Sequence, residues 1–149
     1  MKKFEFPLER VLEVRRVRRM LAEEKLGEAQ REESVVKSRL DAAFEARDSA
    51  QRELRSALSG RLDQGRLRRM LRYGDAVENE IFRQRADLKT KREITNKARE
   101  AAVLRTQEER ALERHKERKL SEYIDAFWWE QAKQMDDIGA ERFLRSKER

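Results

Sequence analysis

Few residues in this chain have the types and spacing that chemistry requires. His115 is the only histidine and there is no cysteine, so one chain cannot supply a His/Cys zinc site. The acidic pairs Glu23-Glu24 and Asp136-Asp137 lie in charged helical patterns, with no cleft that would raise a pKa for acid catalysis. None of the five glycines falls in a GxxxxGK(S/T) or GxGxxG pattern. We therefore predict a protein that is not an enzyme and that needs no metal or cofactor.

The one dense aromatic site is Phe127-Trp128-Trp129. Three consecutive helical residues cannot all face one neighbouring helix. One interpretation packs the tryptophans on Phe4 and Phe6. The other makes them a docking surface, because tryptophan near arginine and lysine is typical of interface anchors. Base stacking is a third interpretation, which the lack of interleaved aromatics in the other basic stretches weakens.

Composition favours long helices over a globular core. Charged residues make up 45% of the chain and hydrophobic residues 38%, with one proline and five glycines. The net charge of +7 allows nucleic acid, an anionic membrane surface or an acidic protein as partner. No stretch approaches the roughly 18 consecutive apolar residues of a transmembrane helix, and the absence of cysteine allows a reducing compartment. We predict a soluble cytoplasmic protein that could associate peripherally with a membrane.

The elements that must position the aromatic residues follow from a leucine repeat. Leu12, Leu26, Leu40 and Leu54 stand 14 residues apart, two heptads each time, and a row of alanines and one valine runs beside them. Such a stripe must be covered by another helix to be stable in water. Helix one is therefore predicted over about residues 7–58.

Two groups of turn-forming residues interrupt the helical pattern. Residues 59–65 contain two glycines, and Gly74-Asp75 follows, with Asp75 as a candidate N-cap for the next helix. We predict a break and a short helix over about 59–74, helix two over about 75–139 and a frayed tail over 140–149. Together these make a single coiled-coil domain, 1–149, of the all-α class: a long antiparallel two-helix hairpin with a short helix near the tip.

The predicted hairpin can be tested for internal consistency, because facing residues of antiparallel helices have position numbers with a constant sum. Sums of 134–136 are given by the pairs Leu54 with Ile81, Leu40 with Ile94 and Leu12 with Ile124. Leu26 fails the test, because it would face the polar residues Gln107, Glu108 and Glu109. The predicted seam consists of Leu12, Leu26, Leu40, Leu54, Ile81, Leu88, Ile94 and Ile124.

Both ends of the sequence carry a resemblance to a known family. Residues 4–16, FEFPLERVLEVRR, resemble the F-x-F-x-L-x-x-(V/L)-L-x-x-(K/R) opening of the flagellar export protein FliJ family. Residues 130–139, EQAKQMDDIG, look like the E-Q-K-x-x-D-E segment near that family's C-terminus, with Ala132 displacing the lysine and Asp137 replacing the usual glutamate. Total length and the break in mid-chain agree with this resemblance.

The resemblance implies a non-catalytic component of the flagellar type III protein export apparatus, similar to the central stalk of rotary ATPases. Members of the family insert in the hexameric export ATPase and promote its assembly and activity. They also contact the cytoplasmic part of the export gate and interact with export chaperones. Such a protein is expected in the cytoplasm, at the cytoplasmic face of the inner membrane when assembled.

By analogy with the rotary stalk, the paired termini would enter the ATPase pore and the tip would face the gate. The candidate ATPase contacts are Phe4, Phe6, Trp128 and Trp129. The candidate gate contacts are Leu67, Met70, Leu71 and Tyr73, with the flanking arginines steering the tip toward an acidic surface.

Three other functions are compatible with the sequence. The chain could be the stalk protein of a virulence-type secretion system, or a structural coiled coil that dimerises end to end. A basic hairpin that binds RNA is the third, although no nucleic-acid partner is expected from the resemblance. Its affinity would fall steeply with salt, by roughly 0.9 powers of salt concentration per phosphate contacted on duplex DNA.

Overall fold

The computed structural model describes residues 3–61 and 63–147, with side chains through residue 143. Within these residues there are two helices, α1 over Glu9–Leu58 and α2 over Gln64–Lys147, and no strand. The helices pair in opposite directions: Ala29 of α1 meets Thr95 of α2, and Glu32, further along α1, meets Lys91, which lies earlier in α2. The predicted all-α helical hairpin is confirmed.

The start of α1 is fixed by the residues just before it. Pro7 and Leu8 form a turn, where the missing N–H of proline costs no helical hydrogen bond. The Glu9 N–H donates to the Phe6 carbonyl at 3.1 Å, and the Leu12 N–H donates to the Leu8 carbonyl at 2.9 Å. Glu9 in the first turn also places a negative charge at the positive end of the helix dipole.

The connection between the helices is short and is capped on both sides. At the end of α1, the Ser59 hydroxyl donates to the Ser56 carbonyl at 2.8 Å. At the start of α2, the Asp63 carboxylate accepts the Gly65 N–H at 3.1 Å, and the Asp63 carbonyl accepts the Leu67 N–H at 3.0 Å. Asp63 is therefore the N-cap of α2.

Two boundary predictions for helix two are wrong. The predicted break at Gly74-Asp75 does not exist, because α2 runs continuously from Gln64 through both residues, and the predicted short helix forms its first turns. A glycine inside a helix costs about 1 kcal/mol of helix propensity, which is too little to end a helix that packs on a neighbour. The predicted frayed tail is helical through Lys147, and residues 148–149 lie outside the described residues.

The position of the cap gives a direct test. Asp63→Ala should lower the free energy of unfolding by about 1 kcal/mol, because the Gly65 N–H loses its acceptor. Asp75→Ala is the matched control and should change stability by less than about 0.5 kcal/mol, since Asp75 is an exposed residue inside α2. Urea unfolding followed by circular dichroism compares the two variants, and equal losses would contradict the assignment of Asp63 as the cap.

Contacts divide the chain into two units, each containing a segment of both helices. Unit 1 is Met1–Arg19 with Leu104–Arg149, and unit 2 is Met20–Val103. The core of unit 2 is made of buried apolar residues from both helices, with Phe44 and Ala46 packed against it. These core residues are Val36, Leu40, Ala43, Val77, Ile81 and Leu88.

The register within unit 2 differs from the predicted one. Glu32 pairs with Lys91 at 2.6 Å and Glu33 with Arg92 at 3.6 Å, so the position numbers of facing residues add to 123 and 125 rather than 134–136. The predicted pairings of Leu54 with Ile81 and of Leu40 with Ile94 are therefore wrong. The register differs because the connection between the helices is short: α1 ends at Leu58 and α2 begins at Gln64. Residues 64–74 therefore belong to α2 and lie beside α1, and they do not form a separate short helix.

The new register changes which predicted seam residues are buried. Leu40, Ile81 and Leu88 are buried, whereas Leu26 and Leu54 are half-buried. Ile94 is 45% exposed, and the buried position belongs to Thr95, which is 2% exposed. The Thr95 hydroxyl lies 3.0 Å from the Lys91 carbonyl in α2 and 3.3 Å from the Ala29 carbonyl in α1, so it can donate to either.

Unit 1 has the same type of register. Arg15 pairs with Glu108 and Glu9 with Lys116, giving sums of 123 and 125. Leu12 is fully buried, with 0% exposure, but its predicted partner Ile124 is 42% exposed. The predicted pairing of Leu12 with Ile124 is therefore wrong by about three helical turns.

Candidate partner-binding surfaces

The residues that the structure describes contain no site for metal chemistry. Within residues 3–61 and 63–147 no group of three or more His, Cys, Asp or Glu side chains could hold a metal ion. His115 instead lies against the Phe6 ring, with 5.8 Å between the ring centroids. In the same ranges, neither helix contains a stretch that is long and apolar enough to span a membrane.

The N-terminal segment of unit 1 is held on α2 by aromatic contacts. Phe6 is buried between the His115 ring and the Lys116 ammonium, which lies 6.0 Å from the Phe6 centroid. Phe4 packs on Tyr123 with 5.5 Å between ring centroids. Lys116 also pairs with Glu9 at 2.6 Å. Both N-terminal phenylalanines thus have partners in α2 that the sequence did not indicate.

Charged residues in the α1 seam of unit 1 are paired across the helices. Arg15 contacts Glu108 at 2.5 Å, and Arg19 contacts Glu109, whose side chain is only 9% exposed. Arg16 lies 3.8 Å from Glu109 and 3.3 Å from Glu113. Arg15 and Arg19 occupy positions where the heptad repeat of α1 calls for apolar residues, and the sequence alone shows this. Which acidic residues pair with them could be seen only once the register of the two helices was known.

The ion pairs of unit 1 make its stability sensitive to acid. Hydrogen bonds from Arg105 and then from Arg15 hold the pKa of Glu108 below its ordinary value of about 4.5. Because the pKa is lower in the folded state, this contribution is complete above the ordinary value and is lost as the pH falls through the folded-state value. We expect the thermal unfolding midpoint to fall as the pH is lowered below about 4.5.

Glu108→Gln should flatten this pH dependence, because its ion pair with Arg15 joins the two helices of unit 1. The matched control is Glu122→Gln: a hydrogen bond from Lys119, on the same helix, lowers the pKa of Glu122. Loss of an exposed pair within one helix has little effect on stability. Thermal midpoints measured between pH 3 and 7 test this expectation, and a larger flattening in the control would refute it.

Trp128 and Trp129 lie beyond the contacts of the N-terminal segment. They are 65% and 73% exposed, and the Trp128 ring packs edge-on against the ring of its chain neighbour Phe127, at 5.7 Å between centroids. The interpretation that the tryptophans pack on Phe4 and Phe6 is wrong, because the register brings Phe4 to Tyr123. Ile124, Trp128, Met135 and Ile138 recur at helical spacing and are all substantially exposed. We call these four residues the terminal face.

The four predicted gate contacts divide into two pairs in unit 2. Leu67 and Met70 are half-buried, and Met70 and Leu71 line a groove of about 180 Å³ together with Leu54 of α1. Leu71 and Tyr73 are about half exposed. Leu67 and Met70 therefore contribute to helix packing, and Leu71 and Tyr73 are the members of the set that a partner could reach.

Arginines surround the connection between the helices in unit 2. We call this group the basic tip, and its members are Arg52, Arg55, Arg61, Arg66, Arg68, Arg69 and Arg72. All seven are exposed. The sequence alone shows that the arginines from 66 onward lie beside the apolar residues of the candidate gate contacts. The structure adds that the connection is short, so these arginines lie at the same end of the helix pair as Arg52 and Arg55 of α1.

Two comparisons with known proteins agree with this architecture. A family model described as "Flagellar FliJ protein" matches residues 4–148. CT670 from Chlamydia trachomatis, a proposed homologue of YscO, has a structure similar to this one, with a TM-score of 0.55 and 20% sequence identity over 99% of both chains. No curated protein matches the sequence significantly.

Proposed function

The chain belongs to the flagellar FliJ protein family, and on that premise we propose that it is a non-enzymatic stalk of the flagellar type III export apparatus. In this role it binds the export ATPase hexamer and promotes its activity, and links it to the cytoplasmic part of the export gate and to export chaperones. It would work in the cytoplasm, at the inner face of the inner membrane when assembled. The observation that carries the proposal is the family match over residues 4–148, nearly the whole helical hairpin.

The geometry of unit 1 supports an ATPase contact through the terminal face and the adjacent Trp129. Phe4 and Phe6 are engaged by α2, so their role is to anchor the N-terminal segment beside the exposed part of that helix. Trp128 and Trp129 present large apolar surfaces, the kind that dominates binding energy at protein interfaces. We propose that the tryptophans, rather than the phenylalanines, touch the ATPase.

The experiment that tests the function is the steady-state ATP hydrolysis of the flagellar export ATPase, measured with and without the purified chain at moderate salt. Stimulation that persists when RNA is added as a competitor supports the stalk function. A well-folded helical sample that gives no stimulation would refute it. The chain without ATPase should release no phosphate.

A second candidate is the stalk of a virulence-type secretion system, which the fold shared with CT670 makes worth testing. The same hydrolysis measurement with a virulence-type export ATPase separates the two functions. Stronger stimulation of the flagellar ATPase supports the flagellar assignment, and stronger stimulation of the other overturns it.

The gate contact is tested by Leu71→Ala combined with Tyr73→Ala. We expect at least tenfold weaker binding to the purified cytoplasmic part of the export gate, with helicity and ATPase stimulation unchanged, because both side chains are exposed. Val35→Ala with Phe82→Ala removes a comparable exposed pair elsewhere in unit 2 and should leave gate binding unchanged. Isothermal titration compares the variants, and unchanged affinity in the Leu71/Tyr73 variant would remove the tip from the gate contact.

A further inference from the structure

The basic tip has an unusual charge composition. Residues 49–73 contain seven arginines, no lysine and two acidic residues, Glu53 and Asp63, so the net charge of this stretch is +5. Arginine differs from lysine in presenting a planar guanidinium that binds phosphate through two parallel hydrogen bonds. The absence of lysine therefore favours a partner with paired anionic oxygens, which phosphates and carboxylates both offer.

The arginines of the basic tip keep their charge in the part of the chain that the structure describes. None of the ion pairs seen between described residues includes an arginine of the basic tip. Arg52 donates a hydrogen bond to the Ser49 hydroxyl at 3.2 Å, which leaves its charge uncompensated. Of the two acidic residues, Asp63 accepts the Gly65 N–H as the N-cap. The seam arginines Arg15 and Arg19, in contrast, each contact a glutamate.

Exposed apolar side chains lie among these arginines. Leu58 ends α1, Leu71 and Tyr73 lie in the first turns of α2, and each is half exposed or more. At a bilayer surface, leucine and tyrosine side chains enter the boundary between headgroups and acyl chains while arginines bind the lipid phosphates. Single-stranded nucleic acid favours repeated aromatic platforms, and Tyr73 is the only aromatic residue in residues 49–73.

The distribution of the arginines also favours a surface larger than a protein patch. At 3.6 residues per turn, positions 66, 68, 69 and 72 spread over roughly 160° around the axis of α2. Arg55 of α1 and Arg61 of the connection add charge on the other helix and between the two. An extended anionic surface such as a bilayer, approached by this end of the helix pair, can meet charges on both helices and in the connection at once.

We propose that the basic tip docks on an anionic lipid bilayer, with its arginines on the lipid phosphates and Leu58 and Leu71 in the headgroup boundary. This contact does not depend on the ATPase, but it uses Leu71, which is also a proposed gate contact, so the bilayer and the gate would compete for the tip. It would hold one end of unit 2 at the membrane surface, and its strength would fall as salt screens the arginine charges.

The test is flotation of the full chain with vesicles of phosphatidylcholine alone or with one quarter phosphatidylglycerol, at 100 mM and 500 mM salt. We expect binding only to the anionic vesicles and its loss at the higher salt. Arg66→Gln, Arg69→Gln and Arg72→Gln together should weaken binding at least tenfold, since each basic residue near an anionic surface contributes roughly a fivefold factor.

The matched control removes the same net charge from exposed positions outside the basic tip, with Arg39→Gln, Arg83→Gln and Arg110→Gln together. This control should retain the vesicle affinity of the original chain. Equal losses in the two triple variants would overturn the proposal, as would equal binding to neutral vesicles. Binding to single-stranded RNA without binding to anionic vesicles would overturn it too and assign the basic tip to nucleic acid. ATPase stimulation, measured separately, shows whether failure concerns the membrane contact or the stalk function.

Discussion

Ile81→Ala should lower the free energy of unfolding by about 3 kcal/mol, because it removes a buried branched side chain and leaves a cavity between the helices. Ile81 is 3% exposed and belongs to the core of unit 2, with Ala43 among its members. The two position numbers, 43 and 81, agree with the register set by Glu32 with Lys91 and Glu33 with Arg92. The cost therefore follows from a register that two independent ion pairs support.

Ile94→Ala is the matched control, because it makes the same chemical change on the same helix within unit 2. At 45% exposure Ile94 should lose less than about 1 kcal/mol, and its neighbour Thr95 remains in the buried position. Urea unfolding followed by circular dichroism at 222 nm measures both variants. A loss at Ile94 as large as that at Ile81 would restore the register predicted from the leucine repeat.

Trp128→Ala combined with Trp129→Ala should weaken binding to the export ATPase by roughly 100-fold or more, because a tryptophan at the centre of an interface contributes about 2 kcal/mol or more. This expectation depends on the proposed function. Both side chains are largely exposed, so helicity and thermal midpoint should stay close to those of the original chain. Fluorescence anisotropy with the labelled chain gives the dissociation constant.

Phe82→Ala is the control for this second prediction. Phe82 is another largely exposed aromatic residue, but it lies in unit 2 and outside the terminal face. Its removal should change ATPase affinity less than twofold. If the double tryptophan variant binds the ATPase like the original chain while both proteins stimulate hydrolysis, the ATPase contact lies elsewhere and the stalk function survives.

The positions of the leucines did not reveal the register of the two helices, because polar residues occupy some of the buried positions between them. Gln84 is buried, donates to Glu80 at 2.7 Å, and has a side-chain carbonyl without a partner among the described residues. Thr95 is buried and can donate to the Ala29 carbonyl. A pattern search that expects leucine or isoleucine passes over both positions and selects Ile94 instead. The charged residues Arg15 and Glu33 of α1 likewise find partners in α2 only in the observed register.

The sequence by itself determined the two helices, their antiparallel pairing and the family. The leucine repeat from Leu12 to Leu54 is a local period, and such a period needs only the geometry of one helix to be read. The family motif at residues 4–16 is also a local pattern. The sequence did not locate the turn, because Gly60, Gly65 and Gly74 are all residues at which a helix can end and a turn can form.

Only the tertiary structure decided where the chain reverses and which residues face one another. Asp63 caps α2 instead of Asp75, and this moves the reversal by several residues and the sum of facing positions by about ten. Because each residue turns the helix by about 100°, a shift of one position exchanges a buried face for an exposed one. The observed register buries Thr95 in place of Ile94, brings Phe4 to Tyr123 and leaves Trp128 exposed. The free energy that selects this register comes from contacts distant in sequence, which no single helical pattern contains.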